Sequence, residues 1–145
     1  MSASTFVDSN VFLYAFAVGD VRHQTAVALL RRIRASGCVL ISPQVVGEVY
    51  MNLRRDVGAS ESASHVADIR DVSVLHPLDE QTTDGAMYIS ERYGFDYWDS
   101  QIVAAALASG ARYLLTEDLQ DGQVIEGVTV VNPFRPGFDP GSLEA

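Results

Sequence analysis

A chain of 145 residues has room for one ordinary domain and its core. Its net charge of −9 argues against generic adhesion to phosphate backbones. All ten cations are arginine, so P-loop nucleotide binding, Schiff-base chemistry and lysine-assisted aspartyl phosphorylation lack the ammonium group they normally use. The single cysteine, Cys38, excludes an internal disulfide and, in "CVLIS", reads as a buried free thiol. With no basic and apolar leader and no apolar run long enough to span a bilayer, the expectation is a soluble cytosolic protein without a membrane partner.

In chain order, "STFVD" (residues 4–8) reads as a short buried strand and "NVFLYAFA" as the turn or helix that follows it. Over residues 21–36, Ala26, Val27, Leu30 and Ile33 recur at helical spacing, with Gly37 as the stop. "CVLIS" (38–42) is a second strand, after which Ser42 can cap, and Pro43 begin, the helix "PQVVGEVYMNLRRDVG". Ser60 is the expected cap of a helix to about residue 71, and "VSVLH" (72–76) a third strand. Asp79 caps the next helix, which ends near residues 93–94, and Asp96 or Tyr97 starts "YWDSQIVAAALASG", closed by Gly110. "RYLLT" (112–116) and "VTVV" (128–131) are the last strands.

This alternation predicts an α/β protein, a three-layer α/β/α sandwich around a central, mainly parallel sheet. A single domain is expected over residues 1–134, followed by a Pro/Gly-rich tail over 135–145 that extends from it and frays at its end. Sites on such sheets lie beyond the carboxyl ends of the strands.

Four carboxylates map to that rim. Asp8 ends the first strand and Asp118 lies two residues past "RYLLT". Glu48, five residues after Pro43, sits roughly 7 to 8 Å along a helix that starts there. Asp99 has Ile102, Val103 and Ala106 at i+3, i+4 and i+7, which puts its charge on the stripe facing the sheet. Each has a plainer reading: Asp8 as a helix cap, Asp99 in a capping box with Asp96, Glu48 as a solvated helix residue, Asp118 as a turn residue. Together they would repel by roughly 4 kcal/mol per pair at about 4 Å and an effective dielectric of about 20, so the rim calls for a cation. An all-oxygen set suits Mg²⁺ or Mn²⁺, and His23, His65 and His76 are too scattered for a zinc motif. The arginine groups Arg31, Arg32 and Arg34, and Arg54 and Arg55, read either as solvated helix faces or as contacts for a phosphate backbone or an acidic partner.

The stretches "FVDSNVFLYAF", "SPQVVGEVY", "FDYWDSQIVAAAL" and "LLTEDLQDGQ", in this order and spacing, resemble a PIN-domain ribonuclease, specifically a VapC-type toxin of a bacterial toxin–antitoxin pair. The resemblance spans residues 5–134. It implies Asp8, Glu48, Asp99 and Asp118 as catalytic acids that hold Mg²⁺ or Mn²⁺, with Asn10 and Thr116 as supporting polar groups. Asp96 and Glu117 are not expected as ligands, and Asp121 is the one rival to Asp118. The implied activity is metal-dependent hydrolysis of RNA, tRNA or rRNA in the family's habit, leaving a 5′-phosphate and a 3′-hydroxyl. The implied partners are that RNA, a cognate antitoxin and a second copy in a homodimer. Two readings stay beside it: a PIN nuclease of RNA processing, and a PIN-like binding module without catalysis. A phosphatase with Asp8 as nucleophile is disfavoured by Asn10, where such enzymes carry a second acid, and by the missing lysine.

Overall fold

Six strands and six helices occupy residues 4–143, the part of the chain that this computed structural model describes. The strands are β1 (Ser4–Val7), β2 (Cys38–Ile41), β3 (Val74–Leu75), β4 (Tyr113–Leu115), β5 (Val124–Ile125) and β6 (Val128–Val131). They form one sheet in the order β3-β2-β1-β4-β6-β5, parallel except for the β5–β6 pair. The flanking helices are α1 (Ser9–Phe16), α2 (His23–Ser36), α3 (Pro43–Val57), α4 (Ala59–Asp71), α5 (Glu80–Tyr93) and α6 (Tyr97–Ala108). The predicted α/β sandwich with a mainly parallel sheet is therefore the architecture found.

Its centre follows from composition. Phe6, Val7, Leu114 and Leu115 are fully buried, as expected of parallel strands covered on both faces. Phe6 pairs with Leu114 and Val7 with Leu115, so the residues that leave these strands, Asp8 and Thr116, emerge side by side. Behind them α6 is buried from Ser100 to Ala106. Gly85 of α5 faces α6, where a Cβ would make an ordinary contact 3.6 Å from Ala104 Cβ.

Several local expectations shift. Leu29, not Leu30 or Val27, joins Ala26 and Ile33 in the buried stripe of α2. Ser42 holds the N-cap position of α3, but its hydroxyl makes no capping bond and is buried without a partner. Gly58, at φ 84°, precedes α4, which leaves Ser60 inside that helix. The strand expected over 72–76 shrinks to the exposed edge pair Val74–Leu75. β5 was not foreseen: it joins β6 through Glu126 and Gly127, both at positive φ, as a two-residue hairpin turn requires. Cys38 is half-buried.

Asp79 and Asp96 cap their helices by accepting the N–H of Thr82 and Asp99, and Gly94 closes α5 in the left-handed region. Residues 135–143, expected to extend from the body, pack on it, with Phe138 against the core and Leu143 buried. The fraying expected at the extreme end falls on residues 144–145, outside the described residues. No helix among the described residues is long and apolar enough to cross a membrane.

Candidate active site

Asp8 is the centre of the rim. It is 4% exposed, and both of its oxygens accept hydrogen bonds: Oδ1 from the Ser9 N–H at 2.7 Å and Oδ2 from Thr116 Oγ1 at 2.8 Å. It is also the N-cap residue of α1, so the capping reading and the site reading describe one side chain. Burial is the main reason its pKa is pushed up to about 7, reinforced by the charges of Glu48 and Asp118 and opposed by the bonds from Thr116 and Ser9.

Thr116 ties the first acid to the fourth. Its hydroxyl donates to Asp8 and accepts from Asn10 Nδ2 at 3.3 Å and from the Asp118 N–H at 3.1 Å. Asn10 Nδ2 also donates to Asp118 Oδ2 at 3.3 Å. Asp8, Asn10, Thr116 and Asp118 thus form one connected set, built from residues more than a hundred positions apart and joined by the β1–β4 register. Asp121 is elsewhere engaged: its Oδ1 accepts the Asn132 N–H at 2.8 Å and its Oδ2 pairs with Arg135 Nε at 2.9 Å. Asp118, not Asp121, therefore reaches the rim set.

Glu48 and Asp99 arrive from α3 and α6. Burial raises the Glu48 pKa first, hydrogen bonds from Ser9 and Gln44 lower it, and the charges of Asp118 and Asp99 raise it again. Its Oε1 is buried with no hydrogen-bond partner. Asp99 is raised by burial, then by Asp96 and Asp118, and Asp118 by burial, then by Glu117. Asp8, Glu48 and Asp99 are each raised by the charge of Asp118. Gln44, which donates to the Trp98 carbonyl and accepts from Gln101, links the starts of α3 and α6.

The donor set fits a hard divalent cation. Glu48 Oε1 and Asn10 Oδ1 are buried, unpartnered acceptors, and an orphaned acceptor surrounded by like charge is relieved by a cation. Asp8 accepts three hydrogen bonds, from the Ser9 N–H and hydroxyl and from Thr116, and retains a lone pair on Oδ2. Among the described residues, no three Asp, Glu, His or Cys side chains close into a ready-made shell.

Ser9, Gln44, Tyr14 and Arg22 were not singled out in the sequence. Ser9 adjoins Asp8 and could have been suspected, but Gln44, Tyr14 and Arg22 meet their partners only through the fold.

Comparison with known protein families matches residues 5–120 to the PIN domain. No curated protein matches the chain in sequence. Among solved structures, the chain is similar to VapC20 of Mycobacterium tuberculosis, a Sarcin-Ricin loop cleaving toxin, at 24% identity and a TM-score of 0.61, covering 76% of this chain and 86% of that one. It is similar to VapBC2 from Rickettsia felis bound to a DNA fragment from its promoter, at 15% identity and a TM-score of 0.67, over 88% and 96% of the two chains. A toxin–antitoxin complex from Klebsiella pneumoniae gives 18% identity and a TM-score of 0.67 over 90% and 98%. These likenesses establish the fold, and the domain match covers most of the chain. The chain belongs to the PIN-domain family.

Proposed function

We propose that this protein is a metal-dependent endoribonuclease of VapC type, the toxin of a toxin–antitoxin pair. The observation that carries the reading is the rim itself: Asp8 buried and bonded to Thr116 and Asp118 joined to it through Asn10, both just beyond the carboxyl ends of β1 and β4, with Glu48 of α3 bearing an orphaned oxygen. Asp8, Glu48, Asp99 and Asp118 would hold Mg²⁺ or Mn²⁺. A divalent cation there supplies Lewis acidity to the attacking water and to the phosphodiester. The chain's own residues do the rest. Thr116 and Ser9 orient Asp8, Asn10 and the Thr116 hydroxyl orient Asp118, and Gln44 fixes α3 against α6 so that Glu48 and Asp99 converge.

Structured RNA such as tRNA or rRNA, met in the cytoplasm, is the substrate this reading favours, as VapC20 is a Sarcin-Ricin loop cleaving toxin. The arginine-bearing helices compensate the acidic chain where the RNA backbone approaches. An antitoxin partner finds an apolar groove lined by Phe12, Phe16, Val27, Leu30 and Ile69, with Arg31 and Arg34 beside it. A homodimer would form on exposed apolar surface such as Met51 and Trp98.

Incubation of total cellular RNA with the purified protein tests the activity, with product ends read by sequencing. Discrete cuts bearing 5′-phosphate and 3′-hydroxyl ends are expected with Mg²⁺ or Mn²⁺ and none with chelator. Cleavage that persists in chelator, or products ending in a cyclic phosphate, would rule the mechanism out.

A further inference from the structure

Beside the four acids lies a cluster that this chemistry leaves unused. Tyr14, one turn beyond Asn10 on α1, donates its phenol proton to Glu117 Oε1. Glu117 stands between Thr116 and Asp118. The Arg22 guanidinium lies over the Tyr14 ring, 3.7 Å from its centroid, with Nη1 3.6 Å from Glu117 Oε2. Arg22 is itself preset by Asp20, which accepts its backbone N–H at 2.9 Å and its Nε and Nη2 at 2.8 Å each. The Phe134 ring meets Tyr14 edge-on at 4.9 Å, and His23 Nδ1 lies 3.1 Å from the Tyr14 carbonyl oxygen. Burial and the bond to Glu117 push the Tyr14 phenol up to about 12, so it keeps its proton.

The position of Glu117 makes this arrangement consequential. A fifth carboxylate one residue from Asp118 either joins a cation site or repels its members, and its charge already raises Asp118. A bidentate-held guanidinium at the N-cap of α2 and a phenol donor on α1, both far from β4 in sequence, instead hold it. The same two contacts fasten the segment whose Thr116 hydroxyl bonds Asp8.

We infer that Tyr14 and Arg22 are positioning residues that hold Glu117 outside the cation site and thereby fix the Thr116–Asp118 segment in its place beside Asp8. This rests on the reading of the four acids as that site. The clamp orders a loop from outside, as groups behind a metal ligand commonly do.

Calorimetric titration of Mn²⁺ into the metal-free protein tests the clamp through a double-mutant cycle on Tyr14→Phe and Glu117→Ala. Tyr14→Phe keeps the ring beneath Arg22 and removes one hydroxyl. It is expected to weaken Mn²⁺ binding about 10-fold in the wild-type background and less than about 2-fold beside Glu117→Ala, with the melting temperature little changed. Glu117→Ala alone weakens binding, whereas Asp118→Asn abolishes it. Equal effects of Tyr14→Phe in both backgrounds would overturn the clamp. So would Glu117→Ala that is as damaging as Asp118→Asn, because Glu117 would then be a ligand. A folded wild type that binds no Mn²⁺ would overturn the site and the clamp together, which separates that failure from the first two. If Tyr14→Phe does not fold, Arg22→Gln enters the same cycle with the same expectation.

Discussion

Asp8→Asn is expected to lower RNA cleavage by at least about 100-fold, beyond the 10- to 100-fold typical of groups that only orient a ligand. In the absence of divalent metal at about pH 8 it is also expected to raise the melting temperature. The two effects share a cause. Asp8 is buried, and burial together with Glu48 and Asp118 pushes its pKa up to about 7, so at pH 8 its charge is held against solvation and against its neighbours. An amide of nearly the same shape removes that charge. Its oxygen can still accept the Ser9 N–H, while its NH₂ competes at Thr116 Oγ1 with the Asn10 amide and the Asp118 N–H, a smaller loss than the buried charge it removes. A group retained at a cost in stability is what a functional carboxylate amounts to here. Nuclease assays and thermal melts on the same preparations check both halves. Asp8→Asn that melted lower at pH 8 without metal would show that Asp8 serves the fold, and undiminished cleavage would remove it from the chemistry.

The second large effect is the pH dependence of the metal-free protein. A carboxyl group with a native pKa of about 7 and an ordinary value of 3.8 keeps its proton in the folded state over the interval in which the unfolded chain releases it. The folded state therefore binds more protons between those values, and stability is withdrawn as pH rises from about 4 through about 7. For Asp8 alone the full gap corresponds to an upper bound on the order of 4 kcal/mol. Glu48, Asp99 and Asp118, all raised chiefly by burial, act in the same direction. Asp20, lowered to about 2 by its bonds to Arg22, and Asp79, lowered by its cap bonds to Thr82, act oppositely and matter only as pH falls below about 4. Melting temperature should therefore decline steadily from pH 4.5 to 7.5 in chelator. Mn²⁺ at about 100 times its dissociation constant should restore about 2.7 kcal/mol at the upper end. A melting temperature that is flat or rising over that range in chelator would contradict the electrostatics assigned to the rim.

Much of this was legible in the sequence for identifiable reasons. Asp79, Gly94 and Asp96 mark helix ends with chemistry that acts locally, and the structure places each where that chemistry requires. Asp8 and Asp118 could be put on one rim because a parallel sheet sends the ends of its strands in one direction. Asp99 declared itself by sitting on an apolar stripe. What stayed hidden depended on long-range geometry or on very short elements. β5 has two residues and a Glu-Gly turn in place of the stronger Asn-Gly or Asp-Gly signal. Gly58 displaced Ser60 at the start of α4 because its positive φ turns the chain directly out of α3. Leu29 rather than Leu30 faces the core because the orientation of α2 is set by its packing on α1 and β2, which periodicity alone cannot specify within one residue. Tyr14 finds Glu117 across 103 positions, and neither residue carries a local sign of the pairing. Asp121 and Asp118 looked equivalent until Asn132 and Arg135 claimed the former.

The central claim is that the four acids gather a divalent cation. Crystals of the wild type grown with Mn²⁺ and measured at the manganese absorption edge address it directly. The expected result is an anomalous peak at the rim, with carboxylate oxygens of Asp8 and Asp118 at about 2.0–2.3 Å and Glu48 and Asp99 closing around it directly or through water. Manganese found only away from these four side chains, in crystals of protein that cleaves RNA, would contradict it.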